Sequence, residues 1–348
     1  MRTIQNLSVL CLICITLVAC CNQQTPITTD GSWIAYTSDH HVFVVSADGG
    51  EPIRVTPKSF DESPTKWVSW SPDGSRLAFL AGWDVFMINS DGSELTNLTH
   101  SRERNEGFSW SLNGATIAVD GESLKLIDLA TPDEKRELAT TVGLEEHWSW
   151  SPDGTKLLFH NKMEYWNEPE KTGWHIWTVN VDGSGLQQLT ETKHNFCPVW
   201  SPDGSKIAFE STRDDSREIY VMNADGSGET RLTFSKDSDA KNIQPTWSPD
   251  GSEIAYISDT DGDFELYVMD ADGTNQTQLT DNSAWELMPS WSHDGSRIAF
   301  VRNEKGPPMF FDVWGGDLYV IQADGTGEVQ LATDLRSVTL PVWQPSMP

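Results

Sequence analysis

Short apolar alternations return along this chain about every 40–50 residues. They read Arg76-Leu77-Ala78-Phe79, Lys206-Ile207-Ala208-Phe209, Glu253-Ile254-Ala255-Tyr256 and Arg297-Ile298-Ala299-Phe300. Before each stands a turn stretch, Trp70-Ser71-Pro72-Asp73-Gly74 in its full form. It recurs at Trp150 to Gly154, Trp200 to Gly204 and Trp247 to Gly251. Altered copies are Trp110-Ser111-Leu112-Asn113-Gly114 and Trp291-Ser292-His293-Asp294-Gly295. Pro sets φ at the first turn position, Asp bonds a following backbone N–H, and Gly takes the positive φ that ends a tight reversal. The flanking residues predict strands, so each copy is a β-hairpin whose incoming strand ends on a Trp. Another strand follows, as in Glu218-Ile219-Tyr220-Val221-Met222-Asn223, then a turn at Asp225-Gly226 and a short strand ending in Leu232-Thr233. This second turn recurs at Asp48-Gly49, Asp91-Gly92, Asp182-Gly183, Asp272-Gly273 and Asp324-Gly325, and the third unit has Thr131-Pro132-Asp133 in its place. Four strands per unit predict the blade of a β-propeller.

Asp/Asn-Gly turns ending at Gly31, Gly74, Gly114, Gly154, Gly204, Gly251 and Gly295 predict seven blades. The first unit starts at Asp30-Gly31-Ser32-Trp33, after its turn, and so lacks an innermost strand. The chain ends with Val338 to Pro345, an innermost strand with nothing after it. The expected fold is therefore all-β over residues 30–348: a seven-bladed propeller of four-stranded antiparallel blades, closed by the C-terminal strand pairing with the N-terminal blade. Closure removes the open edge that a linear array would leave. The anchor Trp residues and the Ile-Ala-Phe strands are expected to pack between neighbouring blades.

These units resemble the WD40-like repeats of the TolB family, whose pattern runs Pro-x-Trp-Ser-Pro-Asp-Gly, then Ile-Ala-Phe, then Ile-Tyr-Val-Met-Asn-Ala-Asp-Gly-Ser. The resemblance covers essentially everything after residue 29. It implies the propeller fold, and protein or peptide partners in an envelope-associated complex. It speaks more strongly for fold than for function, because propellers host many unrelated activities. The family's best-known member is usually described with six blades here and is soluble in the periplasm.

Residues 1–19 read as a signal peptide: Arg2, then a mostly apolar run from Leu7 to Val18, too short for a comfortable membrane span. Its end, Leu17-Val18-Ala19-Cys20, resembles the bacterial lipobox, in which cleavage precedes the Cys and its sulfur is lipidated. The alternative is an ordinary secretory signal. Residues 20–29 then form a lipidated tether, and the membrane is met only through the acyl chains on Cys20. The expected location is the cell envelope, facing the periplasm or the exterior. Cys11 and Cys14 leave with the signal. Cys21 sits in the tether and Cys197 in an inner strand, so no disulfide joins them, and Cys197 reads as a small buried apolar residue.

Charge narrows the partners. Against 24 Lys and Arg stand 52 Asp and Glu, a net charge of −28. Nucleic-acid binders need a basic stripe, so that class is excluded. The acidic excess reads as a solvated surface. A monomer without a cofactor is expected.

The departures from the repeat are the candidate chemistry. Between their second and third strands, the fourth unit carries Asn161 to Trp174 and the seventh carries Glu304 to Gly316, where other units have a brief hairpin. These loops bring Trp166, Trp174, Phe310, Phe311 and Trp314 to one face, about 150° apart around the ring. The aromatics either fold back onto their own blades or form a ligand-binding rim. The same face receives the inner-strand starts, with Lys66, Asn105, Glu106, Glu145, Glu146, His147, Asn195, Asn242 and Glu286 directed to the channel mouth. Glu106, Glu146 and His147 are the polar candidates there, and a polar ring also suits a water-filled channel.

Catalysis has three forms to weigh. Prolyl-oligopeptidase-type enzymes have a similar propeller, but no Gly-x-Ser-x-Gly elbow occurs here. Oligogalacturonate lyase-like proteins hold a metal through His and Gln, which His147, His194 and Gln244 imitate without the spacing. Glu106 and Glu146 form a carboxylate pair of undetermined separation. Asp259 to Asp263 faintly resembles a calcium loop. The reading adopted is a non-catalytic protein- or peptide-binding module. The alternative is a polysaccharide-binding or metal-dependent polysaccharide lyase surface protein.

Overall fold

The computed structural model describes residues 27–28, 31–60, 65–100, 104–105, 107–121, 123–139, 144–163, 172–235, 240–304, 315–336 and 340–345, with the side chains of 139, 144–147 and 163 outside that description. Among them are 28 strands in seven four-stranded antiparallel sheets, and no helix. Blade 1 consists of Trp33–Ser38, His41–Ser46, Ile53–Arg54 and, as its innermost strand, Val342–Trp343. Blades 2 to 7 begin with the inner strands Thr65–Trp70, Phe108–Trp110, Leu144–Trp150, Asn195–Trp200, Asn242–Trp247 and Trp285–Trp291. Each inner strand touches the next, and Trp285–Trp291 meets Val342–Trp343, so the ring is closed. The closing strand pairs Ile34 with Trp343 and Ala35 with Val342, as its sequence predicts. The third unit, despite its altered turn, also forms four strands.

Both faces of every second strand are covered, which explains why Ile-Ala-Phe is a continuous apolar run. In blade 2, Leu77 and Phe79 pack with blade 1, while Ala78 and Leu80 pack with Trp110 of blade 3. The small Ala repeatedly makes room for the anchor Trp of the next blade, as with Ala208 and Trp247 or Ala299 and Trp343. The indole N–H then reaches back to the preceding inner strand. Trp70 donates to the Val342 carbonyl at 3.1 Å, Trp110 to Ser69 at 3.4 Å, Trp150 to Ser109 at 3.3 Å, Trp291 to Thr246 at 3.2 Å and Trp343 to Ser290 at 2.9 Å. The indoles of Trp200 and Trp247 have no such partner, so this belt is interrupted on both sides of blade 5.

The turn Ser has a role of its own. Ser201 Oγ donates to Asp203 at 2.6 Å and accepts the Lys206 N–H at 2.9 Å, fastening the turn to the outgoing strand. Hydrogen bonds from Ser201 and Ser205 hold the Asp203 carboxyl down at about 2. Where a unit ends in Leu-Thr, the Thr is a clamp. Thr233 Oγ1 accepts the Ile219 N–H at 2.9 Å and donates to buried Glu218 at 2.5 Å. Thr99 does the same for Val85 and Asp84, at 3.1 and 2.6 Å.

Candidate functional site

Inner strands are bent just before their anchor Trp. Register shifts fall at Lys66/Val68, Phe196/Val199, Ile243/Thr246 and Leu287/Ser290. The residues at these bulges, Trp67, Cys197, Gln244 and Met288, have φ of 45, 47, 56 and 59°. Such left-handed backbone costs about 1–3 kcal/mol per non-Gly residue and persists only where neighbours hold it. At Gln244 and Met288 the preceding blade does so. Gln244 N donates to Glu210 Oε1 at 2.8 Å, and Met288 N donates to Gln244 Oε1 at 2.7 Å. The Cys197 thiol bonds the same Glu210 carboxylate, which Arg217 Nη1 meets at 3.2 Å. Burial raises the Glu210 carboxyl against the opposing pull of Arg217, and burial together with Glu210 pushes the Cys197 thiol up. Cys197 is thus a hydrogen-bonded thiol and not the purely apolar filler its sequence context suggests.

Glu210 occupies the place after Ile-Ala-Phe. Leu80, Ile257 and Val301 fill it in blades 2, 6 and 7, but Asp120, His160 and Glu210 fill it in blades 3, 4 and 5. All three are buried. Asp120 accepts the Gly107 N–H and the Trp148 indole N–H. His160 lies edge-on to Trp174 and Phe196, with centroids 5.6 and 6.0 Å away.

Above this polar arc sits a ring cluster on the rim of blades 4 and 5. Gly173 opens the return strand Gly173–Asn180, and a Cβ there would collide with the Lys193 carbonyl, so only glycine lets the hairpin approach the inter-blade connection. The next residue, Trp174, donates its backbone N–H to His194 Nδ1 at 3.4 Å. Its ring is 6.1 Å from Phe196, His194 stacks on Phe196 at 5.9 Å and 8°, and the Arg217 guanidinium lies 4.8 Å over Phe196. Trp174, Phe196 and Arg217 are half-buried and His194 is exposed. Burial, then the charges of His175, Arg217, Lys193 and Lys162, depress the His194 imidazolium. Of these cations, Arg217 is paired with Glu210.

Of the residues singled out in the sequence, Trp174 and His194 are in this cluster. Cys20, Glu106, Trp166, Phe310, Phe311 and Trp314 lie outside the described residues, as do the side chains of Glu146 and His147 on Leu144–Trp150. The channel-mouth ring is corrected in part: Asn105, Asn195, Asn242 and Glu286 are buried between blades. Asn105 donates to the Trp83 carbonyl, Asn195 to the Thr192 carbonyl at 3.0 Å, and Asn242 to Glu218 at 2.9 Å. The Asn at this point ties one blade to the next. Among the described residues no three His, Cys, Asp or Glu side chains converge as a metal needs. Asp259 accepts Lys241 N at 2.5 Å and Asp261 accepts Gln278 Nε2 at 2.7 Å, so two of the three carboxylates of the calcium-like loop have protein partners. The register place after Ile-Ala-Phe was the sequence signal for His160 and Glu210. Phe196, His194 and Arg217 show no such signal.

The TolB beta propeller domain matches residues 120–262 and 236–318, more than half of the chain. This protein belongs to the TolB β-propeller family. Over 67 residues it is 40% identical to the Tol-Pal system protein TolB of Geobacter sulfurreducens, 19% of this chain and 16% of that protein. The matched segments span less than a fifth of the curated TolB relatives they meet. Among solved structures, this TolB-family propeller is similar to an oligogalacturonate lyase in complex with manganese, with a TM-score of 0.66 and 20% identity over 88% of this chain and 86% of that one. It is also similar to a puromycin-hydrolyzing peptidase of Mycobacterium tuberculosis, with a TM-score of 0.67 and 14% identity over 90% of this chain and 56% of that one. At these identities the likeness is one of fold.

Proposed function

We propose that this protein is a lipid-anchored, non-catalytic binding module of the cell envelope that takes a protein or peptide segment at the rim of blades 4 and 5. The observation that carries the reading is the Trp174–Phe196–His194 cluster, half-exposed and covered on one side by Arg217. Aromatic faces and a planar guanidinium at the centre of a patch are what interface hot spots are made from. The name of the Geobacter relative, a Tol-Pal system protein, supports an envelope setting with protein partners. In this reading Trp166, Phe310, Phe311 and Trp314 extend the rim, Glu106, Glu146 and His147 face the channel mouth, and the lipid on Cys20 supplies the membrane contact. Among the described residues no helix is long and apolar enough to cross a membrane.

A second reading has its own support. Lys193, Lys162 and Arg217 stand near His194, which suits an anionic polysaccharide, and ring faces stack on sugars as readily as on side chains. The lyase-like fold points the same way.

A pull-down from solubilised envelopes, run beside a glycan array, separates the two. With a retained protein partner, Trp174→Ala should weaken binding by about 2 kcal/mol or more while the melting temperature holds. A variant that melts early but binds fully would sink the rim. Retention of glycans alone would favour the second reading. Cys20→Ser should abolish fatty-acid labelling and release the protein from membranes, and continued labelling would refute the anchor.

A further inference from the structure

On the opposite face of the ring, the turns of successive blades are stacked, proline over glycine. Pro72 sits over Gly114, Pro152 over Gly204 and Pro202 over Gly251, each with Cδ 3.4 Å from the place a glycine Cβ would occupy, and Pro249 over Gly295 at 3.6 Å. Between blades 1 and 2 Gln344 covers Gly74 in place of a proline, and between blades 3 and 4 the series is left bare. Leu112 holds the proline position there, and nothing lies within 4 Å of the Cβ place on Gly154. The turn itself is unchanged: Ser111 Oγ donates to Asn113 at 2.8 Å and Gly114 N donates to Ser111 O at 2.9 Å. Leu112 has instead turned outward and is 51% exposed. A cleft of about 300 Å³ results, lined by Leu112, Asn113, Arg136, Trp150, Gly154 and Val181.

Volume alone does not mark this place. A cleft of about 360 Å³ between blades 6 and 7 keeps its Pro249-over-Gly295 contact and is lined by Asp250, Glu253 and Asp294. The cleft at blades 3 and 4 differs in being the less polar of the two, in lacking its proline, and in holding a cation. Arg136 is exposed there and spends one N–H on the Val181 carbonyl, at 2.7 Å. Asp153 also borders the cleft, where its Oδ1 accepts from Ser151, the Thr155 N–H and the Thr155 hydroxyl.

We propose that this cleft is a docking slot for an extended segment of a partner protein, in which a proline ring takes the vacant place over Gly154 and a neighbouring carboxylate pairs with Arg136. The four stacked turns are the mould for the first contact, and charge complementarity supplies the second. The slot is independent of the rim reading, because it lies on the other face and shares no residue with it.

The test titrates a fluorescein-labelled, end-capped octapeptide, Pro-Asp in a Gly/Ser background, into the full chain. Saturable binding is expected, about tenfold weaker for the Ala-Asp peptide. Arg136→Gln should weaken the Pro-Asp peptide and leave a Pro-Asn peptide unaffected. Leu112→Pro should abolish binding and raise the melting temperature, since proline already suits this turn elsewhere in the ring. Gly154→Asn, which tolerates the φ of 70°, should block the slot with the fold intact even if the first variant fails to fold. Equal binding of the Pro and Ala peptides, no binding at all, or full binding in both blocked variants would overturn the proposal. Self-association that both variants remove would assign the slot to a second copy and overturn it too.

Discussion

Trp343→Ala is expected to destabilise the protein by about 3–5 kcal/mol. The indole is buried in a cluster with Ile34 and Tyr36 of blade 1 and Ala299, Val301 and Leu318 of blade 7. It donates to the Ser290 carbonyl at 2.9 Å and lies 5.3 Å under the Arg297 guanidinium. Beside it, Gln344 N donates to Trp33 O at 2.8 Å, and Gln344 Nε2 reaches Gly74 O of blade 2 at 2.9 Å. One short strand thus joins blades 7, 1 and 2. Truncation before Val338 should do more than the point change, because it uncovers the edge of Trp33–Ser38, a strand whose six residues are all buried. Urea melts compare the three proteins, and a truncated chain as stable as the full one would refute closure by this strand.

A loss of similar size, about 3–5 kcal/mol, is expected for Arg302→Ala, because it leaves a buried charge without its partner. Glu286 is fully buried and receives Arg302 Nε at 2.6 Å and Asn282 Nδ2 at 3.0 Å. The same guanidinium grips Glu328 with two bonds, of 2.8 and 2.6 Å. Facing Glu286 from blade 6 is Glu265, equally buried, which accepts Asn282 N at 2.6 Å. Burial, and then the hydrogen bond with Glu286, push the Glu265 carboxyl up to about 8, so Glu265 keeps its proton at neutral pH. The folded chain keeps a proton that the unfolded chain has released. This contribution therefore favours folding less as pH rises from 4.5 to about 8, and is level beyond. Glu265→Gln removes that dependence and keeps a hydrogen-bond donor toward Glu286. Its stability relative to wild type should climb across the same window in denaturant titrations. A difference that stays flat with pH would mean that Glu265 does not hold a proton in the folded chain.

Much of the architecture was legible because it is written in local chemistry. Pro-Asp-Gly specifies a reversal wherever it stands, and alternating apolar residues on both sides specify strands. The orphan strand around Trp343 and the truncated start near Gly31 made closure readable, since an unpaired edge must be covered. The Ser of each turn and the Thr of each Leu-Thr ending were visible as repeats but not as fasteners. Their partners, such as Lys206 N for Ser201 and Glu218 for Thr233, come near only when the hairpin and sheet have formed.

The sequence by itself determined the blade, the number of blades, the closing strand and the position of Trp174 on a lengthened hairpin. These follow from spacing and turn chemistry within one unit, where neighbours in sequence are neighbours in space. Only the tertiary structure decided what lies between units. It buried the Asn and Glu side chains expected at the channel mouth, because strands converging on an axis press their first residues into the blade before them. It gathered His160, His194, Phe196 and Arg217 around Trp174 from four separate strands and loops. It also turned Leu112 outward over a bare Gly154, since a turn that is complete within its own blade still depends on the next blade for what covers it.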